Sequence, residues 1–157
     1  MKLDGAIDIA APAAAVWPVL LDPTDLAACV PGVGEVRQLD ERTFEGTVRA
    51  SVGPIDGHFS FTAVMARIDG PGGADGLVVE VEGTDSMTRS RVLAHIEATV
   101  EETGPRATTL TYQATVTTKG RLAIIGDMVL RATAGVMIGQ VTRCLRDRLE
   151  SAEPATS

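Results

Sequence analysis

Polar and apolar positions alternate from Lys2 to Ile9, with Leu3, Ile7 and Ile9 on one side and Asp4 and Asp8 on the other. A period of two is the mark of a half-buried strand. Pro12 suits the first turn of a helix, and residues 13–21 carry helix-forming alanines and an apolar face of Val16, Trp17, Leu20 and Leu21. Pro18 lies inside that stretch, so the pattern predicts a helix that starts late or bends. Asp22-Pro23 ends it, Thr24 or Asp25 is expected to cap a short second helix over residues 26–29, and Pro31-Gly32 stops that helix.

Six further strands are predicted at residues 35–39, 43–52, 57–68, 77–82, 88–101 and 107–118, separated by turns rich in Asp, Gly and Pro. Each has one apolar face: Phe44, Val48 and Ala50; then Phe59, Phe61, Ala63 and Met65; then Leu77, Val79 and Val81. Val92, Ala94, Ile96 and Val100 follow, and then Leu110, Tyr112, Ala114 and Val116. The alternate positions carry Arg49, Glu80, Glu82, Arg91, His95 and Glu97, so one face meets a core and the other meets water. From residue 124 to residue 150 the period becomes helical, with Leu130, Ala134, Met137, Ile138, Val141, Leu145 and Leu149 in one stripe. Val129, Ala132 and Val136 lie off that stripe and make the first half of the helix apolar nearly all round. That second face reads either as buried against a neighbour or as a mouth or docking surface.

The order predicts an α+β domain over residues 1–150: a curved, antiparallel, seven-stranded sheet wrapped around a long C-terminal helix, with two short helices after the first strand. Residues 151–157 read as a disordered tail. A chain of 157 residues that is 45% hydrophobic and 22% charged is long enough for one such core. Its net charge of −7 argues against nucleic acid, which requires a basic face. Asp4 and Asp8 interrupt any signal-peptide core, so a cytoplasmic protein is expected. The most membrane-like segment, residues 122–141, holds Asp127 and Arg131 and is read as a packed helix. Cys29 and Cys144 read first as two buried small hydrophobes, ahead of a disulfide or a reactive thiol.

Catalytic chemistry finds little footing. His58 and His95 fall on outward faces and have no metal-ligand spacing around them. The Gly70-Pro71-Gly72-Gly73-Ala74-Asp75-Gly76 loop leads into a strand rather than a helix, and reads as a hairpin loop instead of a phosphate cradle. Catalytic residues and metal ligands are therefore both expected to be none. Tyr112 is the polar side chain placed on an inward face, where a core role is favoured over a ligand contact.

Several short stretches, taken in order, resemble the family of the carbon monoxide dehydrogenase G subunit, within the superfamily that includes START domains and polyketide cyclases. They are Val16-Trp17 with Leu20-Leu21-Asp22-Pro23, Cys29-Val30-Pro31-Gly32, Val52-Gly53-Pro54 with Gly57-His58-Phe59, Thr108-Thr109-Leu110-Thr111-Tyr112, and the run from Gly120 to Gly126. The resemblance implies a helix-grip fold with a cavity between sheet and long helix. It implies a non-catalytic accessory protein that holds a hydrophobic, quinone-like ligand or another isoprenoid lipid and has no intrinsic cofactor. It further implies a molybdenum hydroxylase as partner and a peripheral contact with the inner face of the cell membrane. In that reading the sheet contributes Phe44, Val48, Phe59, Phe61 and Tyr112 to the ligand site, and the long helix contributes Leu130, Ala134, Met137 and Val141. Two stretches depart from the family: Gly83-Thr84-Asp85-Ser86-Met87-Thr88-Arg89, where members often have a Gly-rich hairpin, and Gly135-Val136-Met137-Ile138-Gly139, where they often have paired phenylalanines. Smaller side chains at the second would reshape the pocket. The competing readings are a cyclase or dehydratase on the same scaffold, which needs an ionisable group inside the cavity, and a structural docking protein with a filled core.

Overall fold

The computed structural model describes residues 1–69 and 75–150. Most of the Gly70–Gly76 loop and the whole 151–157 tail therefore lie outside the described residues. The chain runs β1 (Lys2–Ile9), α1 (Ala13–Leu20), α2 (Pro23–Ala28), β2 (Val33–Gln38), β3 (Thr43–Val52), β4 (Ile55–Asp69), β5 (Asp75–Asp85), β6 (Ser90–Gly104), β7 (Ala107–Lys119), α3 (Arg121–Ile124) and α4 (Asp127–Glu150). One antiparallel sheet takes the order β1-β7-β6-β5-β4-β3-β2. β2 through β7 form a meander, and β1 closes on β7 with Ile7 opposite Leu110 and Ile9 opposite Thr108. The seven-stranded sheet, the two short helices and the long last helix are all present as the alternation predicts.

The differences are local. α1 runs through Pro18 without starting late. α2 is capped by Asp22 rather than by Thr24 or Asp25: its carboxylate accepts from the Thr24 N–H at 2.9 Å and the Asp25 N–H at 3.2 Å. Pro23 explains the shift, because its fixed φ suits the first helical position and places the preceding residue at the cap. The last helical run is broken in two at Gly126, whose φ of +99° interrupts α-helical geometry between α3 and α4.

Cys29 and Cys144 are not free hydrophobes. They are joined in a disulfide with Cα atoms 5.4 Å apart, across 115 residues of sequence. α4 returns along the domain so that its last turns lie beside the end of α2, and that tertiary approach brings the two thiols together.

Two hydrophobic clusters hold the domain, and they do not merge. The larger one packs α1 and the end of α4 on the sheet: Ile9, Val16, Trp17, Leu20, Phe44, Met65, Leu77, Leu110 and Leu149 are all buried in it. The smaller one, at the other end, gathers Val52, Ile55, Phe59 and Leu122, with Leu130 packed against it. A third stretch of apolar side chains belongs to neither cluster. Val48, Ala94, Ile96, Ala114 and Val116 on the inner face of the sheet, and Ala134, Met137, Ile138 and Val141 on α4, are all only half-buried. Close-packed interiors leave few voids. A row of inward apolar residues that stays partly exposed marks a space between the sheet and the middle of the helix.

Candidate ligand-binding site

This space begins with the anchoring of α4. Near its start, the Arg131 guanidinium donates to the Lys2 carbonyl at 3.0 Å; near its end, that of Arg146 donates to the Asp8 carbonyl at 3.0 Å. Glu150 accepts from the Ala10 N–H at 2.8 Å. All three tie the helix to β1 or the turn after it. Leu145 and Leu149 are its buried residues, both in the last turns. Between these ties the helix stands over the half-buried row.

One residue of that row, Met137, also lines a cleft on the side opposite β1. A cleft of about 380 Å³ lies between α4 and the β3 edge, lined by Pro31, Gly32, Arg49, Ala50 and Ser51 on one wall and by Ala132, Thr133, Val136, Met137 and Gln140 on the other. That volume is within the range of small-molecule sites. The Ser51 hydroxyl is engaged by Asp56 at 3.2 Å, and the Thr133 hydroxyl donates to the Val129 carbonyl at 3.0 Å. Among the described residues, the side chains of Arg49 and Gln140 have no such partner. Ala50, Ala132, Val136 and Met137 give the cleft apolar walls, and the Gln140 amide stands at its margin as a donor without a partner.

The sequence-predicted ligand residues divide into three groups. Phe44 and Phe59 are buried, one in each packed cluster, and the Phe44 ring meets that of Phe61 edge-on with centroids 6.2 Å apart. Phe61, Tyr112 and Leu130 are half-buried at the inner margins of the clusters. Val48, Ala134, Met137 and Val141 lie in the half-buried row itself, and Met137 also lines the cleft. Arg49, Ser51 and Gln140 have no local sequence signal and are new here. Ala132 and Val136 belong to the second apolar face of the helix, which forms one wall of the cleft.

The far end of the domain is pinned by a polar network. Asp85 is 3% exposed. Its carboxylate accepts from the His58 N–H at 3.1 Å, the Met87 N–H at 2.9 Å and the Thr88 hydroxyl at 3.1 Å. Burial pushes its pKa up, but these hydrogen bonds together outweigh burial and hold it below the ordinary value. The Thr88 hydroxyl lies 2.9 Å from that of Ser90, which accepts from the Leu122 N–H at 3.2 Å. Gly83, Thr84 and Asp85 thus belong to β5, and the turn proper is short.

His58 is exposed on the outer face of the sheet, as its position predicts. So is the His95 side chain, hydrogen-bonded to Glu80 with Glu97 nearby. Among the described residues no group of three His, Cys, Asp or Glu side chains is placed to hold a metal ion.

The sequence profile of the carbon monoxide dehydrogenase G subunit (CoxG) matches residues 5–150. The chain belongs to that family. No curated protein sequence is similar enough to match. The fold of this CoxG family member is shared by a conserved protein from Geobacillus kaustophilus, at 19% identity and a TM-score of 0.82, over 97% of each chain. It is shared also by a START superfamily protein from Mycobacterium smegmatis, at 13% identity and a TM-score of 0.69, over 96% of this chain and 98% of that one. The Zhui aromatase/cyclase from Streptomyces sp. R1128 matches at 14% identity and a TM-score of 0.59, over the whole of this chain and 98% of its own. At these identities the likeness is one of fold, and the helix-grip architecture is the common element. No helix among the described residues is long and apolar enough to cross a membrane.

Proposed function

We propose that this CoxG family member is a non-catalytic carrier of a hydrophobic, quinone-like molecule. In this reading it serves a molybdenum-containing dehydrogenase of the carbon monoxide dehydrogenase type and links that enzyme to the membrane quinone pool. The half-buried apolar row between the two clusters carries the proposal. Such a row favours an apolar ligand, because each side chain that leaves water on binding contributes in proportion to its covered area. The Gln140 side chain at the cleft margin is a donor that suits a carbonyl oxygen of a quinone head, while the tail lies along Ala134, Ile138 and Val141. The test is uptake of decylubiquinone by the purified protein, followed by gel filtration and extraction. Saturable, equimolar uptake supports the carrier; none at concentrations near its solubility limit contradicts it.

The peripheral membrane contact has its own support. Gly120 packs directly on the Arg89 carbonyl, and Gly53 packs on Ile125 and Val129, so the α3 region and the tips of two hairpins share one end. Met87, Ile124 and Met128 are 82–89% exposed there. Arg89, Lys119 and Arg121 accompany them without an ion-pair partner among the described residues. Exposed apolar side chains flanked by free cations suit an anionic lipid surface. Flotation with phosphatidylglycerol vesicles, lost in a Met87→Asp/Met128→Asp variant, is the expected result.

A cyclase-like enzyme is the second reading, favoured by the fold shared with the aromatase/cyclase. Of the residues named for the space and its cleft, Tyr112 is the one that carries a hydroxyl or acid on the inner face of the sheet, so such chemistry would have to run through it. Conversion of an added polyketone substrate that is lost in Tyr112→Phe would favour it.

A further inference from the structure

We propose that the Cys29–Cys144 disulfide is a redox latch on the ligand cleft; this rests on the carrier reading above.

Cys29 caps the end of α2, and the residues that follow, Val30-Pro31-Gly32, lead into one wall of the cleft. Cys144 lies one helical turn beyond Gln140, the last cleft residue on α4, and residues four apart share a helix face. The disulfide therefore joins the two walls just past the end of the opening. The turn is also coupled to β3. Gly32 accepts from the Arg49 N–H at 2.9 Å and has a φ of +81°, with its Cα so close to Arg49 that a Cβ would come 2.1 Å from the Arg49 carbonyl. The turn and the β3 wall are thus hydrogen-bonded and in close contact.

The hydrogen bonds that Arg131, Arg146 and Glu150 make with β1 and the turn after it lie on the far side of the cleft, and Val129 at the start of the helix packs against Gly53. On the cleft side the Arg148–Asp25 ion pair, at 3.1 Å and with both partners about two-fifths exposed, accompanies the disulfide. Exposed ion pairs hold weakly in water. The helix is thus tied along β1, packed at its ends by Leu130, Leu145 and Leu149, and joined covalently to the opposite wall at Cys144 alone.

Opening needs two electrons. A dithiol reductant attacks one sulfur as the thiolate, forms a mixed disulfide and releases the other cysteine as a thiol. Its second thiol then displaces the remaining cysteine, leaving two protein thiols and one oxidised dithiol. Cys144 is half-buried and Cys29 is buried, so Cys144 is the sulfur open to attack. With the bond gone, α4 can lean away on its β1 ties and widen the cleft. The oxidised protein retains its ligand, and the reduced protein exchanges it.

The test begins with a thiol count on protein purified without reductant, before and after dithiothreitol, with circular dichroism to confirm that the fold is kept. Release of Nile red into excess vesicles is then timed in both forms. The expected result is no free thiol before reduction, two after, and release about tenfold faster when reduced, since such changes fall mainly on the off-rate. The Cys29→Ala/Cys144→Ala variant should release at the fast rate with or without dithiothreitol. Equal rates in both forms, or two free thiols at the outset, would overturn the latch. If Nile red binds neither form, the carrier reading is what fails, and hydrogen exchange decides the latch. Faster exchange on reduction at residues 30–33 and 132–140 supports it, and unchanged exchange overturns it.

Discussion

Gly5 on β1 lies opposite Tyr112 on β7, and the phenol ring occupies the space a side chain at Gly5 would need. A Cβ there would come 2.5 Å from the Tyr112 oxygen. Glycine at this register position lets the ring lie along β1 instead of standing up toward α4. Gly5→Ala should therefore tilt the ring into the space between the clusters. The expected cost is about 1–3 kcal/mol, the usual range for forcing extra volume into a packed site, read by urea denaturation. Decylubiquinone uptake should fall with it, and Gly5→Ala/Tyr112→Leu should recover much of the uptake.

Ala134 faces that same space from the middle of α4. Ala134→Trp should fill it, abolishing uptake while leaving the melting temperature within a few degrees, because the added volume meets no packed neighbour. Leu149→Ala, in the larger cluster, should do the reverse. It removes a buried side chain at a cost of about 2–5 kcal/mol, with uptake by the folded fraction preserved. Denaturation curves and binding isotherms on the two variants separate the roles.

Asp85 holds the tip of the β5–β6 hairpin to β4. Its pKa is below the ordinary 3.8 because three donated hydrogen bonds outweigh the effect of burial. A carboxyl with a depressed native pKa stabilises the fold fully above the unfolded value and loses that contribution as pH falls through the native one. Stability should therefore drop as the pH is lowered below about 3.8, and Asp85→Asn should flatten that part of the profile. The amide places an N–H₂ where a carboxylate oxygen accepted, so the variant should also melt at a lower temperature at pH 7.

His95 titrates in the opposite sense. The hydrogen bond to Glu80 raises its pKa above the ordinary 6.5, against a smaller opposing effect of partial burial, and the charges of Glu80 and Glu97 add to the rise. The stabilisation is present in full below 6.5 and disappears as pH rises through the native value. The His95 ring resonances should titrate with a midpoint above 6.5, and Glu80→Gln should bring that midpoint down. An unchanged midpoint in the variant would show that the pair does not form in solution.

The sheet was legible because strand alternation is a local signal: β1 and β3 are bounded where the pattern places them, and the inner faces are the expected ones. The cap of α2 was misread because Thr24 and Asp25 are both good capping residues, and only the proline at position 23 favours Asp22. The Cys29–Cys144 bond carries no local signal at all, since it depends on where α4 returns after 115 residues. The apolar second face of α4, with Ala132 and Val136, could be read from spacing, and it forms a wall of the cleft. Gln140 could not: it looks like an ordinary solvated residue on its own helix, and only the approach of α4 to β3 places it beside a cleft.

The central claim is that the space between sheet and helix holds an apolar cargo. It is tested most directly by native mass spectrometry of the freshly purified protein, followed by solvent extraction of whatever dissociates. The account predicts an added mass bound one to one, extracted as a quinone or another isoprenoid lipid and absent from the Ala134→Trp variant. A bare polypeptide mass that stays unchanged after incubation with quinones would contradict it.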